Sequence, residues 1–154
     1  MEAIQRFKYN SETQLLSPLG TLFSSFATGW ISNPRDLLTV PVPLHRRRLR
    51  ERGFNQSLLL ARALSSSLGT QLDYLSLIRK RDTRAQTGLG REERRKNVKD
   101  AFSVIYPDTI DGKKILLVDD VFTTGYTLNE CARTLKKSGA VAVICLTLAR
   151  TLFD

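Results

Sequence analysis

Behind Ser17-Pro18, a capping residue followed by the proline that suits a first helical position, Leu19, Leu22, Phe23, Phe26 and Trp30 recur at helical spacing. This predicts an amphipathic helix with Trp30 in the core. Residues 36–43, DLLTVPVP, read as a β-strand ending in a loop, with Pro41 and Pro43 limiting how far it pairs on both sides. Asn55 then caps a helix whose positions Leu58, Ala61, Leu64 and Leu68 share one face and which Gly69 ends. Residues 72–78, LDYLSLI, read as a further strand. Residues 79–97 have no apolar period and dense charge, so they predict a long loop running into a short polar helix. Ala101 to Ile105 reads as a short strand.

The last third is the most regular. Lys114 to Val118 predicts a strand, Tyr126 to Ser138 a helix with Leu128, Cys131, Ala132 and Leu135 on one stripe, Gly139 its terminator, and Val141 to Leu148 another strand. A strand, helix and strand in that order require a parallel pair joined by a crossover. With helices alternating throughout, the expectation is an α/β fold of three layers around a mainly parallel sheet, forming one domain over residues 1–154. In such folds ligands sit at the carboxyl ends of the strands.

Composition excludes disorder: 42% of residues are apolar and 25% charged. No leader-like start is seen, and the longest near-apolar run, from Ala140, is about half of what a membrane crossing needs. A cytoplasmic protein is expected. Cys131 and Cys145 stand alone in apolar surroundings and read as packing residues. The net charge of +9 is concentrated in two stretches, five Arg within residues 46–52 and nine Lys or Arg within 79–99, and the rest of the chain is near neutral. Two such runs mark a place for phosphates, whether of a small molecule or a nucleic acid.

Residues 115–128, ILLVDDVFTTGYTL, carry the candidate chemistry. Asp119 and Asp120 stand at the carboxyl end of the predicted strand, and Thr123, Thr124, Gly125, Tyr126 and Thr127 lead into the helix. A helix start offers unpaired N–H groups to a phosphate, and Gly125 lets the backbone come close. Two carboxylates suit the hydroxyls of a polyol and attract a hard divalent cation. Together these describe a ribose 5-phosphate. The plainer alternative, a Thr127/Glu130 capping box, accounts for Thr127 alone.

The stretch Val118 to Thr127 resembles the phosphoribosyl pyrophosphate signature of the type I phosphoribosyltransferases. VPVPLHRRRLRERGFNQS from Val40 and RDTRAQTGLGREERRKNV from Arg81 are similar to the ComF/GntX branch of that superfamily, the competence-associated proteins. The resemblance implies that Asp119 and Asp120 hold the ribose hydroxyls and that Thr123 to Thr127 hold the 5-phosphate. It implies that the loop Pro43, Leu44, His45 and Arg46 wraps the pyrophosphate, and that residues 79–97 form a flexible hood with Gly88 and Gly90 as hinges. Arg81 and Arg84 serve either pyrophosphate contact in a closed state or solubility, and Arg46, Arg47 and Arg48 share that ambiguity, since three adjacent side chains cannot all point at one site. His45 is either a neutral loop residue or a pyrophosphate donor. Mg²⁺, bound with the donor near Asp119 and Asp120, is the implied cofactor. Members of this branch commonly carry an N-terminal four-cysteine zinc module. These 154 residues hold two cysteines, so no such zinc site is expected.

Three functions stay open on the sequence: a phosphoribosyltransferase of the glycosyltransferase class with unknown acceptor, a non-catalytic sensor of the donor, and a nucleic-acid or competence-machinery partner. A homodimer is among the open oligomeric states.

Overall fold

The computed structural model describes residues 16–31, 33–83 and 91–151. The chain forms α1 (Leu16–Trp30), a 3-10 turn (Pro34–Asp36), β1 (Leu37–Pro41), α2 (Arg46–Arg52), α3 (Gln56–Leu68), β2 (Gln71–Leu72) and β3 (Leu77–Arg79). There follow α4 (Arg91–Val98), β4 (Phe102–Val104), α5 (Pro107–Ile110), β5 (Lys114–Phe122), α6 (Tyr126–Lys137) and β6 (Ala142–Arg150). Four strands make a wholly parallel sheet in the order β2-β1-β5-β6, and β3 and β4 pair antiparallel in a separate two-stranded sheet.

Alternation along β5 divides the core. Ile115 and Leu117 face α6 through Leu128, Cys131 and Leu135, while Leu116 and Val118 face α1 and α3 through Phe23, Ala27, Leu60 and Leu64. Helices therefore cover both faces of the sheet, which gives the expected three layers. All five residues of β1 are buried, as a central parallel strand requires. Pro41 is tolerated because β2 pairs only with Leu38 and Thr39 and stops before it.

Several expectations change. Helix α1 begins at Leu16, so Ser17 lies inside it and is not its cap. Trp30 is 77% exposed and is not a core residue; the buried stripe of α1 is Phe23 and Ala27. The strand expected over 72–78 is two short strands. Between them Asp73 Oδ1 accepts from the amides of Leu75 and Ser76 at 2.9 and 3.0 Å, a local turn that competes with the ladder. Cys131 is buried, and burial pushes its thiol pKa well up, whereas Cys145 is exposed on β6. The Arg run of residues 46–52, whose pattern predicts no element, forms a helix started by His45 and ended by Gly53 at φ +81°.

The capping box is not formed. Helix α6 starts at Tyr126 with Gly125 as its cap residue, so Thr127 lies within the helix. Glu130 instead accepts from the Asp100 amide at 2.7 Å and from Arg133, which also reaches Asp100 at 2.7 Å. This cluster ties the turn after α4 to α6. Arg133 holds the Glu130 carboxyl below its ordinary pKa, and the Asp100 amide adds to this against the cost of burial. A depressed folded pKa stabilises the fold above the unfolded value, about 4.3, and the contribution is lost as pH falls through the folded value. In urea denaturation over a pH series, Glu130→Gln is accordingly less stable than wild type near neutral pH, and the gap closes below about pH 4.

Candidate functional site

The local sequence explains how the turn after β5 is built. Strand β5 runs past Val118 to Phe122, with Asp119 opposite Thr147 and Phe122 opposite Arg150 on β6. The two acids therefore lie within the strand's last pairs, not beyond its end. Consecutive strand residues point to opposite faces, so Asp119 extends the Ile115/Leu117 face and Asp120 the Leu116/Val118 face. The adjacency that looks repulsive in sequence is relieved by the pleat.

Each carboxylate has its own setting. Asp119 Oδ1 accepts from Ser57 Oγ at 2.8 Å and from the Asp120 amide at 2.9 Å, which fixes its orientation from the first turn of α3. Asp120 is buried, at 8% exposure. Asn55 caps α3 by accepting from the Ser57 amide at 3.1 Å, and its Nδ2 donates to Val42 O at 3.1 Å. One asparagine thus ties the end of β1 to the helix that supports Asp119.

Beyond Phe122 the chain bends through Thr123 and Thr124 to Gly125, which adopts φ +76°. A Cβ there would lie 3.0 Å from Cε2 and Cζ of the Phe122 ring, so glycine suits the conformation and any side chain would press on that ring. The Arg150 guanidinium also lies over this ring, at 5.7 Å, and the Thr151 amide donates to Phe122 O at 2.9 Å. Thr123 to Thr127 are half-buried, forming a partly sheltered turn at the start of α6.

The loop Pro43, Leu44 and His45 is half-buried at the carboxyl end of β1, and among the described residues every peptide bond is trans. His45 Nδ1 accepts from the Arg47 amide at 3.4 Å as the cap of α2, and Asp82 lies 3.6 Å from the same nitrogen. Arg46 is exposed; Arg47 reaches Glu51 and Asp82, and Arg48 reaches Thr83 O at 3.4 Å. Arg81 donates to Asn97 O and Lys99 O at 3.1 and 2.6 Å, closing the carboxyl end of α4. Arg84, Gly88 and Gly90 lie outside the described residues.

Arg79, at the end of β3, is absent from the sequence-based candidates. Its guanidinium stacks over Phe102 at 5.3 Å, donates to Thr83 Oγ1, and leaves Nε buried without a protein acceptor. Burial lowers its pKa, with the nearby Arg48 adding to the effect and Asp119 opposing it. A lone arginine after an apolar strand gives no sign of this in sequence. Ser57 is equally hidden, because its partner is 62 positions away.

The donor set bears on a metal. Among the described residues no three His, Cys, Asp or Glu converge. Two hard carboxylates without a third ligand suit Mg²⁺ that arrives on phosphate oxygens and keeps several waters.

Residues 55–152 match the model of the phosphoribosyl transferase domain. The chain is 44% identical over 113 residues to the DNA utilization protein YhgH of Escherichia coli (strain K12), covering 73% of this chain and 49% of that protein. It is 36% identical over 155 residues to competence protein F of Haemophilus influenzae, covering 96% of this chain and 66% of the relative. The chain therefore spans about half to two thirds of the length of these curated relatives. A hypoxanthine phosphoribosyltransferase structure from Staphylococcus aureus aligns with a TM-score of 0.52 at 15% identity, over 88% of this chain and 62% of that one, a likeness of fold.

Proposed function

The chain belongs to the phosphoribosyl transferase domain family, in its DNA utilization and competence branch, and on that premise we propose that it binds phosphoribosyl pyrophosphate with Mg²⁺ and transfers the phosphoribosyl group to an acceptor. One observation carries the reading. Two carboxylates, one on each side of the last pairs of β5, immediately precede a glycine-capped helix start at the carboxyl edge of a parallel sheet. In this reading Asp119 and Asp120 accept hydrogen bonds from the ribose hydroxyls. The 5-phosphate lies in the turn Thr123, Thr124, Gly125, Tyr126 and Thr127, where first-turn amides and the helix dipole favour an anion. Pro43, Leu44, His45 and Arg46 flank the pyrophosphate.

Mg²⁺ would be shared between Asp119 or Asp120 and the donor, where it would neutralise charge on the departing pyrophosphate. In the transfer, the bond from the anomeric carbon to pyrophosphate oxygen breaks with its electron pair going to pyrophosphate, and a bond to the acceptor's nucleophilic atom forms. Positive charge developing on the sugar is offset by the carboxylates of β5. Arg81 and Arg84 belong to the hood reading. Arg81 closes the end of α4 in the arrangement described, so contact with pyrophosphate would require it to leave Asn97 O and Lys99 O. No helix among the described residues is long and apolar enough to cross a membrane.

Calorimetric titration of phosphoribosyl pyrophosphate with Mg²⁺, followed by an assay for pyrophosphate release with candidate acceptors, tests the proposal. Binding with release supports the enzyme; binding without release over hours supports a sensor; no binding removes both. Ser57→Ala deletes a donor to Asp119 and, at about 1.5 kcal/mol for a hydrogen bond to a charged group, weakens donor binding roughly tenfold in the same titration.

A second reading, nucleic-acid binding, draws on the relatives' association with DNA utilization and competence and on exposed Arg46, Arg47, Arg50, Arg95, Lys96 and Lys99. Phosphate neutralisation makes affinity fall steeply with salt. A fluorescence titration with single-stranded DNA that barely changes between low and physiological salt rejects it.

A further inference from the structure

At the other end of the sheet from Asp119, α1 and β6 present an apolar surface that none of the described residues covers. Leu22, Phe26 and Trp30 stand one helical turn apart on α1 and are 66%, 56% and 77% exposed, with the rings of Phe26 and Trp30 stacked at 5.9 Å. Beside this ridge lies a groove of about 580 Å³, floored by Leu116, Ile144 and Leu146 and rimmed by Asp36 and Lys114. Its far wall is β6, the sheet edge, where every residue is at least partly exposed and none from Ala142 to Ala149 is charged. A long uncharged edge of this kind is ordinarily covered.

We infer that this surface is the interface of a two-fold homodimer, in which the Leu22/Phe26/Trp30 ridge of each copy fills the groove between α1 and β6 of the other. A two-fold interface needs a patch complementary to itself, and ridge and groove lie side by side on one face. The charges agree. Asp36 and Lys114 rim the same groove, and neither enters an ion pair among the described residues, so a two-fold arrangement can set Asp36 of one copy against Lys114 of the other. The basic stretches that would repel a second copy lie on α2 and around α4, and none of their residues lines this groove. With aromatic side chains at 150–250 Å² each, the exposed Leu22, Phe26, Trp30 and Ile144 supply roughly 500 Å² per copy, on the order of 1,000 Å² in the pair, near the lower bound of a specific interface. A dimer that dissociates on dilution is the corresponding expectation.

Sedimentation of the whole chain from micromolar to sub-millimolar concentration tests this. The expected result is a shift from the 17.4 kDa monomer to twice that mass. Trp30→Glu, at a position exposed in the monomer and so leaving the melting temperature near that of wild type, raises the dissociation constant about tenfold or more, as for a buried aromatic anchor. Asp36→Lys weakens the dimer, and Lys114→Asp in the same chain restores it. A wild type that stays monomeric throughout overturns the inference, as does a dimer indifferent to Trp30→Glu. A monomer whose single tryptophan is already shielded from a soluble quencher overturns it in favour of another segment of the chain covering the patch.

Discussion

Asp119→Asn/Asp120→Asn abolishes the heat of binding phosphoribosyl pyrophosphate with Mg²⁺ while leaving the protein folded. The change is nearly isosteric. The side-chain amide placed at position 119 still offers Ser57 and the residue-120 amide an oxygen, so the contacts that orient Asp119 at 2.8 and 2.9 Å survive in kind. What is lost is charge. A hydrogen bond from a hydroxyl to an ionised carboxylate is worth about 1.5–3 kcal/mol, about one to two decades of affinity for each acid. Losing both lowers affinity more than about 100-fold, beyond what calorimetry detects for a donor of ordinary affinity. Circular dichroism and a melting curve establish that the variant is folded. Undiminished binding would move the ligand away from β5 altogether. The single variants are also informative, since each removes one of the two charges and leaves the other in place.

Gly125→Ala lowers both stability and donor affinity, and the two losses have separable causes. At φ +76° an alanine costs about 1–2 kcal/mol of backbone strain, and its Cβ would press on the Phe122 ring at 3.0 Å. Relief of that contact displaces the turn whose amides face the proposed phosphate. Affinity therefore falls about tenfold or more, since a displacement of ångström scale spoils hydrogen-bond geometry. In the Phe122→Leu background the contact is softened and the φ strain persists. Urea denaturation then shows Gly125→Ala costing less than in wild type without reaching zero. Equal cost in both backgrounds would show that the ring is not what confines residue 125.

The C-terminal βαβ unit was legible because its pattern is local. Strand, helix and strand each carry their own period, and Gly139 marks the helix end. Membership of the phosphoribosyl transferase family was legible for the same reason, from a contiguous run of ten residues. Local pattern failed where a distant partner or a competing hydrogen bond decides. Asp73 breaks a strand that its apolar neighbours favour, because its side chain captures two amides. Trp30 has the spacing of a core residue, yet the buried stripe runs through Phe23 and Ala27, one position along the same helix. Periodicity finds an apolar face but not which of two adjacent stripes is covered. Glu130 matches a capping box in sequence and is drawn instead to Arg133 and the Asp100 amide. Ser57 and Arg79 needed the tertiary structure, since what matters about each is a neighbour far along the chain.

The register of β1 has a bearing on how the chain folds. Apart from the two residues of β2, the ladder of β1 is completed only by β5, with Leu38 opposite Ile115 and Pro41 opposite Val118. During synthesis from the amino terminus, the most thoroughly buried strand emerges long before its main partner. Closing that interval costs chain entropy before any contact repays it, which favours slow folding initiated in the C-terminal unit. Until β5 arrives, Leu37, Leu38 and Val40 remain apolar side chains on an unpaired backbone, the kind of nascent segment that chaperones recognise.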